Sequence, residues 1–444
     1  MSDTMFVQTT EYQTYKDSGF SWIGDVPEHW DVTSLGVCLK AYSEKNRSDL
    51  PLLSITRELG VIERDIEDQE SNHNFIPDDL SGYKVLKKGQ FGMNKMKAWQ
   101  GSYGVSQFTG IVSPAYFIFD FIKDIDPNFF NWAIRSKLYI SYFGSASDGV
   151  RVGQWDLSKT RMKSIPFLIP PREEQASIVR FLDSKAIQID EAIAIKQKQM
   201  ELLKERKQII IQQAVTQGLN PDTPMKDSGV DWIGTIPGHW SLPKLKLISQ
   251  FVNDGTHGSY PRVDEGYRLL SVRNIINNKF VFRDDDSRVS FKHFKEISSK
   301  FQVSVGDIQL AIVGATLGKV AVVDYLPEEI VTQRSVATIR VKKSKCLNEF
   351  VAYFMRSEAF QSYLWNNAGF SAQPGVYLNT IQNANIPLPS LDEQNLIVES
   401  IEQKSKSLDQ ALAIQLGQIE KLKEYKNTLI NSAVTGKIKV TELA

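Results

Sequence analysis

This chain of 444 residues carries the same passage twice. Residues 16–30 read KDSGFSWIGDVPEHW and residues 226–240 read KDSGVDWIGTIPGHW, with ten of fifteen positions identical at an offset of 210. A second block, residues 174–216, matches residues 393–435 at an offset of 219, with 19 of 43 positions identical and no gaps. Its identities include Glu174/Glu393, Gln175/Gln394, Asp190/Asp409 and Lys204/Lys423. The stretches between the matched blocks are similar in length and poorly matched. A tandem duplication of this kind restricts the fold to two like units, and such a chain can acquire internal pseudo-twofold symmetry, like a homodimer in one polypeptide. The expected segments are 1–165, 166–218, 219–385 and 386–444.

The second matched block predicts two long helices. Glu173 to Gln217 contains no Gly or Pro and is rich in good helix formers, with Pro170 and Pro171 before it and Gly218 and Pro221 after it. The second copy is expected from about Asp392 to Thr435, with one interior glycine, Gly417. Ile178, Ile189, Met200 and Ile211 recur every eleven residues, as do Ile397, Leu408, Ile419 and Ile430. Leu182 and Ile193, repeated by Ile401 and Leu412, form a second row. A period of eleven gives a nearly straight helix with one apolar stripe. The simplest burial for two matched stripes is against each other, as a long helix pair; the alternative is that each helix packs on its own domain.

The two remaining segments read as mixed α/β (α+β). Strand-like runs include Tyr116–Phe121, Ile308–Val313 and Val320–Val323, with glycines suited to tight turns between strands. Zero net charge, 52 basic against 52 acidic residues, at first argues against a nucleic-acid partner. The sum hides a polarised chain. Residues 58–79 hold eight acidic residues and one basic, whereas residues 84–163 hold twelve basic and five acidic. The segment 1–165 sums to −3 and 219–385 to +3. Residues 84–163 also mix Lys95, Lys97, Arg135, Lys137, Arg151 and Lys159 with Trp99, Tyr103 and Gln154, a combination suited to phosphate contact and base-edge readout.

Catalytic signatures are missing. None of the five histidines has a metal-ligand spacing, and His29 and His239, each beside a repeated tryptophan, read as structural. Gly314–Lys319 (GATLGK) is one residue short of a phosphate-binding loop, so it reads as a strand turn. No dinucleotide fingerprint and no amino-methyltransferase motif occur. Two cysteines, Cys38 and Cys346, support neither a disulfide framework nor a zinc site, which fits a reducing, cytoplasmic setting. No apolar run of membrane-spanning length and no secretory signal are found. The chain is expected to do no chemistry itself and to hold no metal or cofactor.

Taken together, the duplicated DSGxxWIGxxPxHW passages, the two PxxxEQ helix openings (Pro170–Gln175 and Pro389–Gln394), the NKMKAWQG and GIVSPAY runs and the DGTH at Asp254–His257 resemble the DNA-specificity subunit of type I restriction–modification systems. The resemblance covers nearly the whole chain. It implies two target-recognition domains that each read half of a split double-stranded DNA site, and two antiparallel long helices that act as a spacer. It also implies partners: two modification subunits that bind S-adenosylmethionine and methylate adenine at N6, and restriction subunits that use ATP and Mg. Candidate DNA contacts are Lys95, Lys97, Trp99, Gln100, Arg151 and Gln154 in the first domain, and His257, Arg262, Arg273, Lys319, Arg334 and Gln373 in the second. Two other readings compete: a coiled-coil scaffold unrelated to DNA, and part of a restriction–methyltransferase of another type, for which no residues remain to form the catalytic domain.

Overall fold

The computed structural model describes residues 10–65, 76–77, 79–151, 154–369 and 373–440, without the side chains of Val150, Arg151 and Gln154. The chain divides into two compact units, Met1–Gln197 with Leu416–Ala444, and Lys198–Gln415. Each unit thus holds one domain and part of each long helix.

In the first unit, strands β1 (Leu39–Tyr42), β2 (Phe91–Asn94), β3 (Tyr103–Val105) and β4 (Tyr116–Phe121) form an antiparallel sheet in the order β1-β4-β2-β3. The register sets Ile118 opposite both Tyr42 and Gly92. Helices α1 (Pro127–Ile134) and α2 (Lys137–Ser145) pack on it. Asp126 caps α1 through the amides of Asn128 and Phe129, and Pro127 takes the first turn, where a missing N–H costs nothing. Phe91, Phe130 and Phe167 are fully buried, with successive ring centroids 5.0 and 4.9 Å apart, and they form the centre of the core.

The second unit repeats this plan and extends it. Strands β5 (Ser249–Asp254), β6 (Ile275–Ile276), β7 (Lys279–Phe280), β8 (Ile308–Ala311), β9 (Val320–Val322) and β10 (Val336–Val341) lie in the order β5-β10-β8-β9-β7-β6. Its first four positions match the first sheet strand for strand. GATLGK is the turn between β8 and β9. Gly318 adopts φ +89°, a left-handed conformation that favours glycine. Helices α4 (Asn348–Arg356), α5 (Glu358–Asn366) and α6 (Leu378–Asn383) follow.

The first long helix, α3, spans Arg172–Gln217, and the second, α7, spans Leu391–Val434. At 1.5 Å per residue they run about 70 and 65 Å. Within the first unit Lys426 bonds Asp190 at 2.6 Å and Lys196 bonds Gln418, so the helix segments pair antiparallel. Within the second unit Lys207 bonds Asp409 at 2.7 Å. Asp190/Asp409 and Lys207/Lys426 are repeat-equivalent, so the two units hold the same ion pair with the helices exchanged.

None of the twelve residues of the eleven-residue rows is exposed. Ile178, Leu182, Ile189, Ile211, Ile397, Ile401 and Ile419 are buried, while Ile193, Met200, Leu408, Leu412 and Ile430 are half-buried. The expectation that the stripes bury mainly against each other needs amending. Ile178, Leu182 and Ile189 share one core with Leu429, Ala433 and Val434 of α7 and also with Trp30 and Phe129 of the first domain. Ile211, Ile397 and Ile401 likewise join Trp240 and Phe350 of the second domain. Each helix segment packs on its partner and on a domain at once. Apolar residues off the rows, such as Ile195 and Ile414, stay exposed.

The repeated motifs build a joint between each domain and its helix. Glu174 accepts the Trp30 indole N–H at 3.0 Å and meets His29 Nε2; Glu393 does the same for Trp240 at 3.0 Å and for His239. The buried Gln175 side chain accepts from the Asp126 amide and donates to the Asp124 and Pro170 carbonyls. Gln394 does the same with the Leu347 amide and the Lys345 and Pro389 carbonyls. Trp22 and Trp232 stack on Tyr142 of α2 and Tyr363 of α5. His29 and His239 are thus structural members of the joint.

Candidate nucleic-acid interface

In the first domain the NKMKAWQG run leaves β2 as a tight turn. Asn94 Oδ1 accepts from the Met96 amide at 3.1 Å, Ala98–Gln100 makes one 3₁₀ turn, and Gly101 at φ +89° ends it. Lys97 projects into solvent and has no ion-pair partner among the described residues, whereas Lys95 lies 3.3 Å from Asp156. Trp99 is half-buried and stacks on Trp155 at 5.1 Å, with Gln100 half-buried beside it. The turn thus offers an exposed cation and an aromatic platform. Arg151 and Gln154 sit opposite each other on adjacent strands, and their side chains lie outside the described residues. Arg135 departs from the sequence expectation of a surface cation. Its guanidinium donates to the carbonyls of Tyr103, Arg57 and Glu58 at 2.8, 3.1 and 2.6 Å, and burial lowers its pKa.

In the second domain three distant segments converge. Thr256 donates its amide to the Thr332 carbonyl and accepts from the Arg334 amide, at 2.8 and 3.0 Å. Gly255 allows this approach, because a Cβ there would lie 2.1 Å from the Thr332 carbonyl oxygen. Gly314 and Val376 are joined to Pro374 and Ile312 by backbone hydrogen bonds, which bring the 373–377 segment alongside. The result is a concavity of about 440 Å³ lined by Asp254, His257, Arg334, Gln373 and Tyr377. His257 Nε2 lies 2.5 Å from Asp254 Oδ2, a contact that orients the ring. Tyr377 is 81% exposed. An imidazole, a guanidinium, an amide and a phenol around one hollow match the donors, acceptors and stacking surface that base edges require.

Three of the six expected second-domain contacts, His257, Arg334 and Gln373, are therefore brought together. The other three are not. Arg273 pairs with Asp285 and Asp286, Arg262 donates to the Tyr260 carbonyl at 2.8 Å, and Lys319 lines a different cavity. Sequence reasoning missed Asp254 and Tyr377. Asp254 opens the DGTH run and could have been found there, but nothing in PGVYLNT marks Tyr377 as exposed.

Among the described residues no group of three or more His, Cys, Asp or Glu is placed to hold a metal ion. No helix among them is long and apolar enough to cross a membrane. Burial pushes the Cys38 and Cys346 thiols up to about 11.

Comparison with known proteins is consistent across sequence and fold. Residues 267–423 match the family model for the type I restriction modification DNA specificity domain. The MjaVIII type I restriction enzyme specificity subunit of Methanocaldococcus jannaschii is 25% identical over 447 residues, covering 97% of this chain and 98% of that protein. The EcoBI specificity subunit of Escherichia coli is 27% identical over 281 residues, covering 60% and 56%. Among solved structures, the HsdS subunit from Thermoanaerobacter tengcongensis superposes with a TM-score of 0.55 at 16% identity, over 93% of this chain and 98% of that one. A chain from a type I R-M system, solved to explain its assembly and conformational transition, gives 0.67 at 15% identity over 92% and 98%.

Proposed function

We propose that the chain is a DNA-specificity subunit of a type I restriction–modification system, and that it reads an asymmetric, two-part DNA sequence with its two domains; the match of residues 267–423 to the specificity-domain model and the end-to-end similarity to the MjaVIII specificity subunit support this. The observation that carries this reading is the contrast between joint and surface. Both units keep the same His–Trp–Glu–Gln joint, while the exposed polar groups around Lys97 and around His257 have nothing in common. Two unlike readers on one repeated frame suit a site whose halves differ. The long helices then serve as the spacer that fixes the unread gap, in steps set by about 3.4 Å per base pair.

The chain contributes recognition rather than catalysis. Two modification subunits would dock on its two quasi-equivalent faces, bring S-adenosylmethionine and methylate adenine at N6. Restriction subunits would bring ATP and Mg. Lys97 would hold the backbone, and His257, Arg334, Gln373 and Tyr377 would face base edges.

Replacing residues 16–165 with the corresponding domain of another family member, then mapping methylated adenines in a host carrying the partner subunits, tests the reading. One half-site is expected to change while the other half and the gap persist. A change in both halves would refute two independent readers. Matched insertions in α3 and α7 are expected to alter the gap alone, and an unchanged gap with full activity would remove the spacer role.

A further inference from the structure

Lys319, one of the candidate DNA contacts read from the sequence, lies apart from the base-reading residues and lines a separate cavity of about 900 Å³ within the second unit. Its lining joins the Asn277–Lys279 turn between β6 and β7, the β8–β9 turn and the α7 segment around Lys406 to α3 at Lys207 and to α4 at Arg356; the β6–β7 turn has no counterpart in the four-stranded sheet of the first domain. Lys279, Lys319 and Lys406 are all exposed, and none has an ion-pair partner among the described residues. Of the two lining carboxylates, Asp409 is already held by Lys207 at 2.7 Å, which leaves Glu402 against three lysines and Arg356.

Arg356 is the repeat counterpart of Arg135: each closes a helix just before the serine that leads into the next. The first-domain arginine is saturated by three carbonyls. Arg356 donates to a single one, that of Asn278 at 3.1 Å, and lies over the Tyr353 ring at 5.4 Å. Its Nε is buried with no partner. A half-buried guanidinium whose buried Nε has no partner, beside uncompensated lysines on an open rim, is underpaired in the chain alone.

We propose that this cavity is a backbone-phosphate site for duplex DNA, separate from the base-reading concavity and present in the second domain only. The proposal rests on the reading of the chain as a DNA-binding specificity subunit. The open, exposed rim favours a polyanion lying across it over an enclosed small ligand. Its contribution is to affinity and placement, with no sequence information.

The test uses the full chain carrying Lys279→Gln, Lys319→Gln and Lys406→Gln together, positions chosen because they are exposed, whereas Arg356 is not. Affinity for a target duplex and for a random duplex is followed by fluorescence anisotropy across a salt series. The slope of log K against log salt is expected to fall by about 2–3, at about 0.9 for each phosphate no longer neutralised, with the target-to-random ratio unchanged. A control with Lys292→Gln, Lys343→Gln and Lys345→Gln has the same net charge and is expected to keep the wild-type slope. An unchanged slope in the cavity variant, or an equal fall in the control, would overturn the proposal while leaving the DNA-reading function intact. Failure of the wild-type chain to bind any duplex would overturn both. A collapsed target-to-random ratio would place these lysines at base edges and also overturn it.

Discussion

The two units share their joints and differ in their surfaces, and the difference shows what the duplication has held fixed. His29, Trp30, Glu174 and Gln175 make the same contacts as His239, Trp240, Glu393 and Gln394, down to indole–carboxylate distances of 3.0 Å in both. Arg135 and Arg356 occupy one repeat position yet have three carbonyl partners and one. The preserved part fixes where a domain sits on its helix. The divergent part includes the outward-facing polar groups, the two added strands of the second sheet and the partners of this arginine pair. The proposed function needs this partition, because a reader can change its sequence preference only if the frame that positions it does not move.

Removing residues 416–444 should break the comparison most severely. The first unit would lose Leu429, Ala433 and Val434 from its core, and a buried leucine alone is worth roughly 2–5 kcal/mol. Hydrogen exchange should show reduced protection throughout the first domain, with the second domain's sheet still protected; equal reduction in both would contradict the two-unit division.

Next in size, Gln175→Leu and Gln394→Leu should each cost about 2–4 kcal/mol in urea denaturation, because each strands a buried amide and two carbonyls. Unequal costs would mean that the joints are alike in geometry but not in energy. Arg135→Lys should cost about 2 kcal/mol and Arg356→Lys about half of that, in line with their partners. Equal costs would remove the asymmetry on which the phosphate site rests.

The smallest effect concerns the thiols. Cys38 and Cys346, at about 11, stay protonated in the fold well above the ordinary cysteine value. The unfolded chain releases these protons first, so their effect on stability is nil below pH ~8 and turns unfavourable as pH rises through the unfolded value near ~8.5. Alkylation at pH 8 should be slow at both sites, and in the truncated chain only Cys38, in the first unit, should become reactive.

Much of the frame was legible in the sequence. Helix bounds follow from long runs without Gly or Pro, and eleven-residue periodicity marks the covered face. The GATLGK turn follows from its glycines. What the repeated Glu and Gln do was not legible, because their partners lie up to 154 residues away at the other end of a domain. The candidate site was legible only in part for the same reason. Lys97 has no carboxylate partner among the described residues and Arg273 has two, a distinction set by which segments the fold lays side by side. His257, Arg334 and Gln373 meet because backbone hydrogen bonds knit residues 256, 334 and 376 to neighbouring strands, and no local pattern records that.

The backbone bridge between Thr10 and Lys439 has a consequence for synthesis. The second unit is one continuous stretch of chain, so it can close as soon as it leaves the ribosome. The first is drawn from two separate stretches and cannot be completed until the last helix has emerged. During translation the first domain therefore waits, its helix-binding surface uncovered, for a segment made only after the whole second unit. The unit begun first is thus the one completed last.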